Sequence, residues 1–187
     1  MTLRFALLAA LHEEPATGYD LNRRFRDRLG HVWNASHQQI YRELARMLDE
    51  ALVAVQPVPQ ADRPDRKVYR VTQGGKRALQ AWLTEGHPRP AIRDPFLVKL
   101  FAGELLNDAD LERDLAELEA HYRERLRTYR SLERRWFPDE RNLSRHYRLQ
   151  YMALRRGILT AESWLQWAAE MRERMLLSAR GASKGNG

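Results

Sequence analysis

The chain of 187 residues contains no cysteine. This absence excludes disulfide bonds, thiolate nucleophiles and every zinc or iron–sulfur site that is built from cysteine. Long apolar runs are missing too, because no stretch approaches the roughly 20 apolar residues that a membrane-spanning helix needs. The apolar segment at residues 3–11 is short, is followed by the acidic Glu13 and Glu14, and lacks a small-residue cleavage site. We therefore expect a soluble, cytoplasmic protein without a membrane partner.

Recognisable catalytic and metal-binding patterns are also missing. The six histidines are scattered and show no HExxH or comparable ligand spacing. No serine stands in a defensible arrangement with histidine and aspartate, and Gly74-Gly75 fits a turn into a helix better than a phosphate-binding loop. The sequence therefore predicts no enzymatic activity, no metal and no cofactor.

The formal net charge of +7 favours a polyanionic partner. The excess of basic residues is spread over both halves of the chain, so the charge total alone decides little. An argument for nucleic-acid binding has to rest on where particular residues lie.

Two short helices are predicted first. Residues 3–13 are almost all Leu, Ala and Phe, which is typical of a helix that is buried on most sides. The segment around Pro15 ends this helix, and Thr17 then stands where the N-cap of a second helix belongs.

A third helix carries the most information. Ser36 and Gln39 have the spacing of a capping box, in which each side chain bonds the backbone amide of the other. Four apolar residues behind the cap recur at helical spacing and predict an inward stripe: Ile40, Leu44, Met47 and Leu48. The outward face is polar and long-armed, and consists of His37, Gln38, Tyr41, Arg42 and Arg46.

A β-hairpin is predicted next. Residues 52–58 and 67–71 are rich in β-branched residues and partly alternating, which indicates two strands. The polar segment between them contains proline and aspartate and is typical of a turn. Its tip is basic, with Arg63, Arg66 and Lys67. Thr72 then caps a further helix, whose predicted apolar face is Leu79, Trp82 and Leu83.

Residues 85–90 form the one convincing linker, so we place a domain boundary there. This gives a first domain at 1–86, a second at 91–178 and a tail at 179–187 that we expect to be disordered. The second domain is predicted to be wholly helical. It has a helix that begins at Asp94-Pro95, a long charged helix with a heptad-like seam, and a last helix over about 143–177.

The last helix is apolar on more than one face. One row could pack on its own domain and the other on a second subunit, both rows could form a monomer's core, or the aromatic and methionine side chains could line a ligand pocket. We rank dimerisation first. The candidate dimerisation residues are Ile158, Ala161, Trp164, Leu165, Trp167, Ala168, Met171 and Met175.

The order of helix, helix, turn, helix, hairpin and helix within about 85 residues is that of a winged helix-turn-helix. A helix fits the major groove of DNA, where Gln can bond adenine and Arg can bond guanine in bidentate fashion. A basic hairpin tip can lie along phosphates or in the adjacent minor groove. The plainer interpretation is a solvated helix face with solubility charges on a turn, and Tyr19 could be a half-buried packing residue. Position in the motif favours DNA contact.

Several motifs resemble the PadR family of transcriptional regulators. They are Thr17-Gly18-Tyr19-Asp20-Leu21, Ile40-Tyr41-Arg42-Glu43-Leu44 with Met47 and Leu52-Val53, and Tyr69-Arg70-Val71-Thr72 with Gly75 and Leu79. Asp94-Pro95-Phe96-Leu97, Arg156-Gly157-Ile158, Ala161 and Trp164-Leu165 resemble the helical domain of the longer members. The resemblance implies a homodimeric cytoplasmic repressor and, in many members, a small aromatic effector. It also implies that Tyr19 and Tyr41 bond DNA phosphates and that the hairpin is the wing.

We therefore predict a mainly α protein with a small β-hairpin wing: an N-terminal winged helix-turn-helix and a C-terminal helical dimerisation domain. Its predicted function is sequence-specific binding of a palindromic operator in double-stranded DNA, released by an effector. The predicted DNA-contacting residues are Tyr19, Ser36, His37, Gln38, Gln39, Tyr41, Arg42, Arg46, Arg63, Arg66 and Lys67. The alternative is a winged-helix module that binds another protein, and a weaker one is non-specific nucleic-acid binding.

Overall fold

The computed structural model describes residues 2–25, 35–59, 66–86 and 93–182, with side chains of the last helix as far as Arg174. The chain divides into two compact units, Met1–Arg89 and Pro90–Gly187. Most described residues are helical, and one small antiparallel sheet accompanies the helices of the first unit. The predicted fold class is confirmed.

The N-terminal unit contains four helices and three strands. They are α1 (Thr2–Glu13), β1 (Ala16–Thr17), α2 (Gly18–Arg24), α3 (His37–Asp49), β2 (Val53–Val58), β3 (Arg66–Val71) and α4 (Gln73–Thr84). Thr17 caps α2, because its hydroxyl accepts the amide proton of Asp20.

The core of this unit is apolar and is centred on α1. Leu7, Leu8 and Leu11 are fully or almost fully buried, as expected for a helix that is covered on most sides. The inward stripe of α3 supplies buried Ile40, Leu44 and Met47. Two predicted members of the apolar faces are instead exposed. Leu48, at the last turn of α3, is 42% exposed, and Leu83, at the end of α4, is 65% exposed, although the residues directly before them, Met47 and Trp82, pack in the core.

The sheet has the strand order β1–β3–β2. The predicted hairpin pairs β2 with β3 from Val53 opposite Val71 to Val58 opposite Arg66. The additional strand, β1, places Thr17 opposite Val68 and was not predicted, because two residues are too few to show a period. Arg63, at the predicted hairpin tip, lies outside the described residues.

Hydrogen bonds of Thr72 connect the segment between α3 and β2 to the start of α4. The hydroxyl of Thr72 donates to the carbonyl oxygens of Ala51 and Leu52, at 2.8 and 3.0 Å, and accepts the amide proton of Gly75 at 3.0 Å. A side chain at Gly75 would overlap the carbonyl oxygen of Leu52, so glycine is required there. The predicted cap at Thr72 therefore also fixes where the hairpin begins.

The C-terminal unit is helical throughout its described part. It contains α5 (Pro95–Phe101), α6 (Asp108–Trp136), α7 (Arg145–Ala182) and two short 3₁₀ turns, at Gly103–Leu105 and Glu140–Asn142. The last helix continues to Ala182, so residues 179–182 of the predicted tail are helical. Ala179 and Arg180 are good helix formers, which explains the longer helix. Residues 183–187 lie outside the described part of the chain.

Helices α6 and α7 run antiparallel and share a narrow core. The pairs Glu133 with Tyr151, Arg130 with Glu162 and Glu119 with Arg172 show the direction of the two helices. Their shared apolar core consists of Leu111, Leu115, Tyr129, Leu154, Ile158, Ala161 and Ala168.

This packing differs from the prediction for the dimerisation surface. Ile158, Ala161 and Ala168 are at most 1% exposed in the single chain. They therefore have no free surface to offer a second subunit, and these three residues belong to the core. Trp164, Leu165, Trp167 and Met171 are half-buried, and the side chain of Met175 lies outside the described residues.

No helix in the described segments is long and apolar enough to span a membrane.

Candidate nucleic-acid interface

Helix α3 presents its polar face outward. His37, Gln38, Tyr41, Arg42 and Arg46 are all exposed, as predicted. The rings of His37 and Tyr41 contact each other, with centroids 4.4 Å apart. Arg42 forms no ion pair with any residue that the structure describes, so its guanidinium is available to a ligand.

The N-terminus of α3 is held by the predicted capping box. The amide of Gln39 donates to Ser36 Oγ at 3.2 Å, and the amide of Ser36 donates to Gln39 Oε1 at 2.8 Å. Both side chains are exposed but take part in the cap, so they hold the end of the helix rather than reaching outward. The exposed long-armed residues of the first turns that take no part in the cap are therefore His37, Gln38 and Arg42.

Arg46 lies one turn further along, and its guanidinium is 3.7 Å from the carboxylate of Glu43. Glu43 also accepts a hydrogen bond from Arg4 of α1 at 2.9 Å. Arg4 also donates to Glu50, the C-cap of α3, so it ties α1 to the middle and to the C-terminal end of α3. These contacts fix the orientation of α3 in its unit.

A pocket of about 370 Å³ opens beside α3. Its lining brings together residues from β1, α2, α3 and β3, and is composed of hydroxyl groups, cations and one glycine. The lining residues are Thr17, Gly18, Tyr19, Tyr41, Arg66, Lys67 and Tyr69. Four of the predicted DNA-contacting residues, Tyr19, Tyr41, Arg66 and Lys67, therefore meet in one place. We call this the β1–β3 pocket.

Gly18 allows the Tyr41 ring to close one wall of the pocket. A Cβ atom at Gly18 would lie 2.6 Å from Cζ of Tyr41, well inside van der Waals contact. The ring therefore fits only because residue 18 has no side chain. Tyr19, the next residue, is 62% exposed, which is more than the alternative of a half-buried packing residue predicts.

Tyr69 is a pocket residue that the sequence argument missed. It was assigned to a strand, and nothing in a strand pattern shows which side chain reaches a pocket. Burial, and next the nearby Tyr41, raise the pKa of the Tyr69 hydroxyl above its usual range. The hydroxyl therefore stays protonated at neutral pH and can donate a hydrogen bond to an anion.

Asp20 stands at the edge of the pocket and organises it. Its Oδ2 accepts hydrogen bonds from the Thr17 hydroxyl at 2.7 Å and from Arg66 Nη2 at 3.2 Å. Partial burial alone would raise the pKa of Asp20. The hydrogen bonds from Thr17 and the charges of Arg66 and Arg23 outweigh it, so the pKa is lowered and the carboxylate is ionised at neutral pH.

The C-terminal unit contains an aromatic cluster and a second cavity. Trp164 stacks on Tyr122 at a centroid distance of 5.3 Å and meets Trp167 edge-on at 5.4 Å. Phe96 of α5 contacts Trp167 at 6.0 Å. A cavity of about 420 Å³ lies nearby, with a partly apolar lining of Leu100, Gly103, Leu106, Asp108, Leu111, Trp167, Glu170, Met171 and Arg174.

Throughout the segments that the structure describes, no three His, Asp or Glu side chains are grouped so that they could hold a metal ion.

The two units match two protein families. Residues 7–81 match the transcriptional regulator PadR-like family, and residues 92–175 match the family described as virulence activator alpha C-term. A probable transcriptional regulator of Mycobacterium tuberculosis, Rv1176c, is 37% identical over 183 residues, which cover 92% of this chain and 97% of that protein.

Solved structures show the same architecture. The virulence activator AphA of Vibrio cholerae is 33% identical, with a TM-score of 0.78 over 94% of this chain and 99% of AphA. Bacillus subtilis PadR in complex with operator DNA has a TM-score of 0.80 over 91% of this chain and 96% of that chain, at 23% identity. Another structure of Bacillus subtilis PadR contains p-coumaric acid.

Proposed function

Because this chain belongs to the PadR-like family of transcriptional regulators, we propose that its N-terminal unit binds a palindromic operator in double-stranded DNA and represses transcription. One observation carries the proposal: Tyr41 lies both on the exposed face of α3 and in the wall of the β1–β3 pocket. A helix that can enter the major groove and a cationic pocket that can receive a phosphate are therefore one continuous surface.

The exposed face of α3 would read the bases. Gln38 and Arg42 are long, exposed and one turn apart, and they match adenine and guanine, respectively, in bidentate geometry. His37 is also exposed, and its ring contacts the ring of Tyr41. It would therefore lie at the DNA surface beside Gln38 and Arg42. Ser36 and Gln39 would contribute indirectly, because they cap the helix that carries the readers.

The β1–β3 pocket would hold a backbone phosphate. Arg66 and Lys67 supply positive charge, and the hydroxyls of Tyr19, Tyr41 and Tyr69 can donate hydrogen bonds. Contacts of this kind fix the register of a protein on DNA without reading sequence. Arg46 is proposed to add a further phosphate contact, and so is Arg63, which lies outside the described residues.

Gel-shift measurements with duplexes selected from a randomised pool test this proposal. Arg42→Ala should weaken binding by about 1–3 kcal/mol and relax the preference at one base pair. Tyr41→Phe should weaken binding about tenfold on every duplex, because one hydrogen bond to a charged phosphate is lost. The matched control is Arg77→Ala, which removes an exposed arginine of α4 that lies outside both features.

Salt dependence separates this proposal from the binding of another protein. Affinity should fall about 10³- to 10⁵-fold between about 50 and 200 mM salt if several phosphates are neutralised. The proposal is rejected if no selected duplex is bound more tightly than random DNA at physiological salt.

We further propose that two chains form the dimer through the C-terminal unit. Val98, Phe101 and Leu105, on and after α5, are 68%, 95% and 93% exposed. Leu149, Met152 and Leu159 of α7 are also more than half exposed. Apolar side chains at this exposure favour burial against a second copy. A two-fold dimer would present two α3 helices to half-sites about 34 Å apart, as a palindrome requires.

Sedimentation velocity tests the dimer. The double substitution Phe101→Ser and Leu105→Ser should shift the protein towards the monomer, whereas Leu83→Ser, which alters a similarly exposed leucine of the N-terminal unit, should not. If the double variant remains a dimer, Phe101 and Leu105 do not form the dimer interface.

A small aromatic effector is proposed to act on the C-terminal unit. The cavity beside Trp167 and Met171 has the volume and the partly apolar lining of a small-molecule site. The effector would release DNA by binding one dimer geometry better than the other. Titration of the DNA complex with p-coumaric acid is the first test, and failure of phenolic acids to release DNA would count against this part. We propose no enzymatic reaction. We propose that the protein acts in the cytoplasm, on chromosomal DNA.

A further inference from the structure

Within the described segments, the carboxylate of Asp20 contacts two residues of a pocket whose lining is cations, hydroxyls and one glycine. Asp20 bonds two of the lining residues, Thr17 at 2.7 Å and Arg66 at 3.2 Å. By charge alone it should hinder a DNA phosphate, because like charges repel. Its place in the site therefore calls for a different reason.

The geometry of Arg66 supplies that reason. A guanidinium carries five N–H donors in a rigid plane. Asp20 takes one of them, from Nη2, and the other donors of Arg66 form no hydrogen bond to any described residue. The side chain of Arg66 is 49% exposed and lines the pocket. Arg66 is thus bonded to Asp20 through Nη2, while about half of its side chain is exposed at the pocket.

Asp20 is itself well held. The Thr17 hydroxyl bonds its Oδ2, and Arg23 lies 3.5 Å from its Oδ1. The pairing of β1 with β3 places Thr17 opposite Val68, two residues from Arg66. The carboxylate therefore connects α2 to the first residue of β3 at a defined position.

We propose that Asp20 is a positioning residue, which orients Arg66 so that its remaining N–H donors meet a DNA phosphate in the β1–β3 pocket. This inference rests on the proposed function of that pocket. An unrestrained arginine loses side-chain freedom when it binds, and a side chain that is already oriented loses less. The gain in affinity from orientation opposes the repulsion from the added negative charge.

A double-substitution cycle separates these two effects. Asp20→Asn keeps the shape of the side chain but replaces a charge-assisted bond to Arg66 with a weaker neutral one. In the Arg66→Gln background only the loss of repulsion remains, so Asp20→Asn should there leave affinity unchanged or raise it. In the wild-type protein, Asp20→Asn should weaken binding of the selected duplex. Its effect on affinity should differ about fivefold from its effect in the Arg66→Gln variant.

The salt dependence provides a readout that a general loss of stability would not change. If Asp20→Asn costs the Arg66–phosphate contact, the slope of log affinity against log salt should flatten by about 0.9, as it should in Arg66→Gln. Glu14→Gln is the matched control, because it removes the carboxylate from a 2.6 Å ion pair with Arg24 that lies outside the pocket. Thermal unfolding of each variant shows that it is folded, and Asp20→Glu should recover part of the affinity.

Equal effects of Asp20→Asn in the two backgrounds, or an unchanged slope, would overturn the positioning role while the DNA-binding function stands. Absence of selective binding by the wild-type protein would overturn both.

Discussion

The N-terminal unit and the C-terminal unit are stabilised in different ways. In the N-terminal unit, Thr17 is the one buried polar side chain that the structure describes, and its core is a cluster of leucines around α1. In the C-terminal unit, Glu119 is only 7% exposed, and ion pairs connect α6 with α7 along their length. Large apolar side chains such as Phe101 and Leu105 are left at its surface.

Under the proposed function, this difference corresponds to a division between DNA binding and dimerisation. The N-terminal unit has an apolar core, and the polar face of α3 lies exposed on the opposite side of that helix. Two long helices with a narrow core need polar contacts to fix their register, because apolar packing alone specifies register weakly. The exposed apolar residues of this unit are the ones proposed above to contact a second subunit.

The largest effect should come from the core of the N-terminal unit. Leu44→Ala should lower the free energy of unfolding by about 3 kcal/mol, since it removes a fully buried leucine and leaves a cavity. Leu48→Ala, one turn further on the same helix, should cost below about 1 kcal/mol because Leu48 is 42% exposed. Urea denaturation of both variants measures the contrast. Equal losses of unfolding free energy in the two variants would contradict the assignment of Leu44 to the core and Leu48 to the surface.

A smaller effect is expected at the ion pair of the C-terminal unit. Arg172 Nε donates to Glu119 at 2.9 Å, and Arg123 lies 2.7 Å from the same carboxylate. Glu119→Gln should lower the free energy of unfolding by about 2 kcal/mol at neutral pH, because Arg172 and Arg123 then lose a charged partner. Glu112→Gln is the control, since Glu112 also pairs with Arg172 but is 58% exposed, and it should cost below about 0.5 kcal/mol.

The same pair predicts a pH dependence. The hydrogen bond from Arg172 is the main cause that lowers the pKa of Glu119. A carboxyl group with a lowered pKa stabilises the fold above its unfolded value of about 4.3, and this contribution is lost as pH falls through the folded value. The difference in stability between wild type and Glu119→Gln should therefore be full at pH 6 and shrink below about pH 4. A difference that stays constant into acid would contradict this assignment.

The smallest free-energy change is predicted at Gly18, where function should change and stability should not. Gly18→Ala would push the Tyr41 ring out of the β1–β3 pocket, because the added Cβ would lie 2.6 Å from the ring. DNA affinity should fall about tenfold, by analogy with the loss of one phosphate contact, while the free energy of unfolding changes by less than about 0.5 kcal/mol. Gly74→Ala is the control, because its Cβ would make only ordinary contacts of 3.5 Å or more. A large loss of stability in Gly18→Ala would show that Tyr41 cannot move aside.

Local signals predicted much of the N-terminal unit. The capping box at Ser36 and Gln39 and the outward face of α3 follow from contacts within one or two turns, which a sequence pattern records directly. Leu48 and Leu83 were misassigned, because periodicity gives a direction around the helix axis but not the extent of the neighbouring element.

Distant contacts could not be predicted in the same way. Asp20 and Arg66 are 46 residues apart, and Glu119 and Arg172 are 53 apart, so no local pattern joins them. The two apolar faces of α7 were visible in the sequence, but the pattern does not say which face packs on its own chain. The structure assigns the face with Ile158 to α6.

The shared position of Tyr41 bears on how this regulator could be redirected to another operator. Gln38 and Arg42 reach outward without contacting the β1–β3 pocket, whereas Tyr41 and Gly18 form part of its wall. Libraries that randomise residues 38 and 42 should therefore yield altered sequence preferences and leave the β1–β3 pocket unchanged. Libraries that also randomise residue 41 should change sequence preference and phosphate binding together. Most of their members should therefore bind DNA weakly.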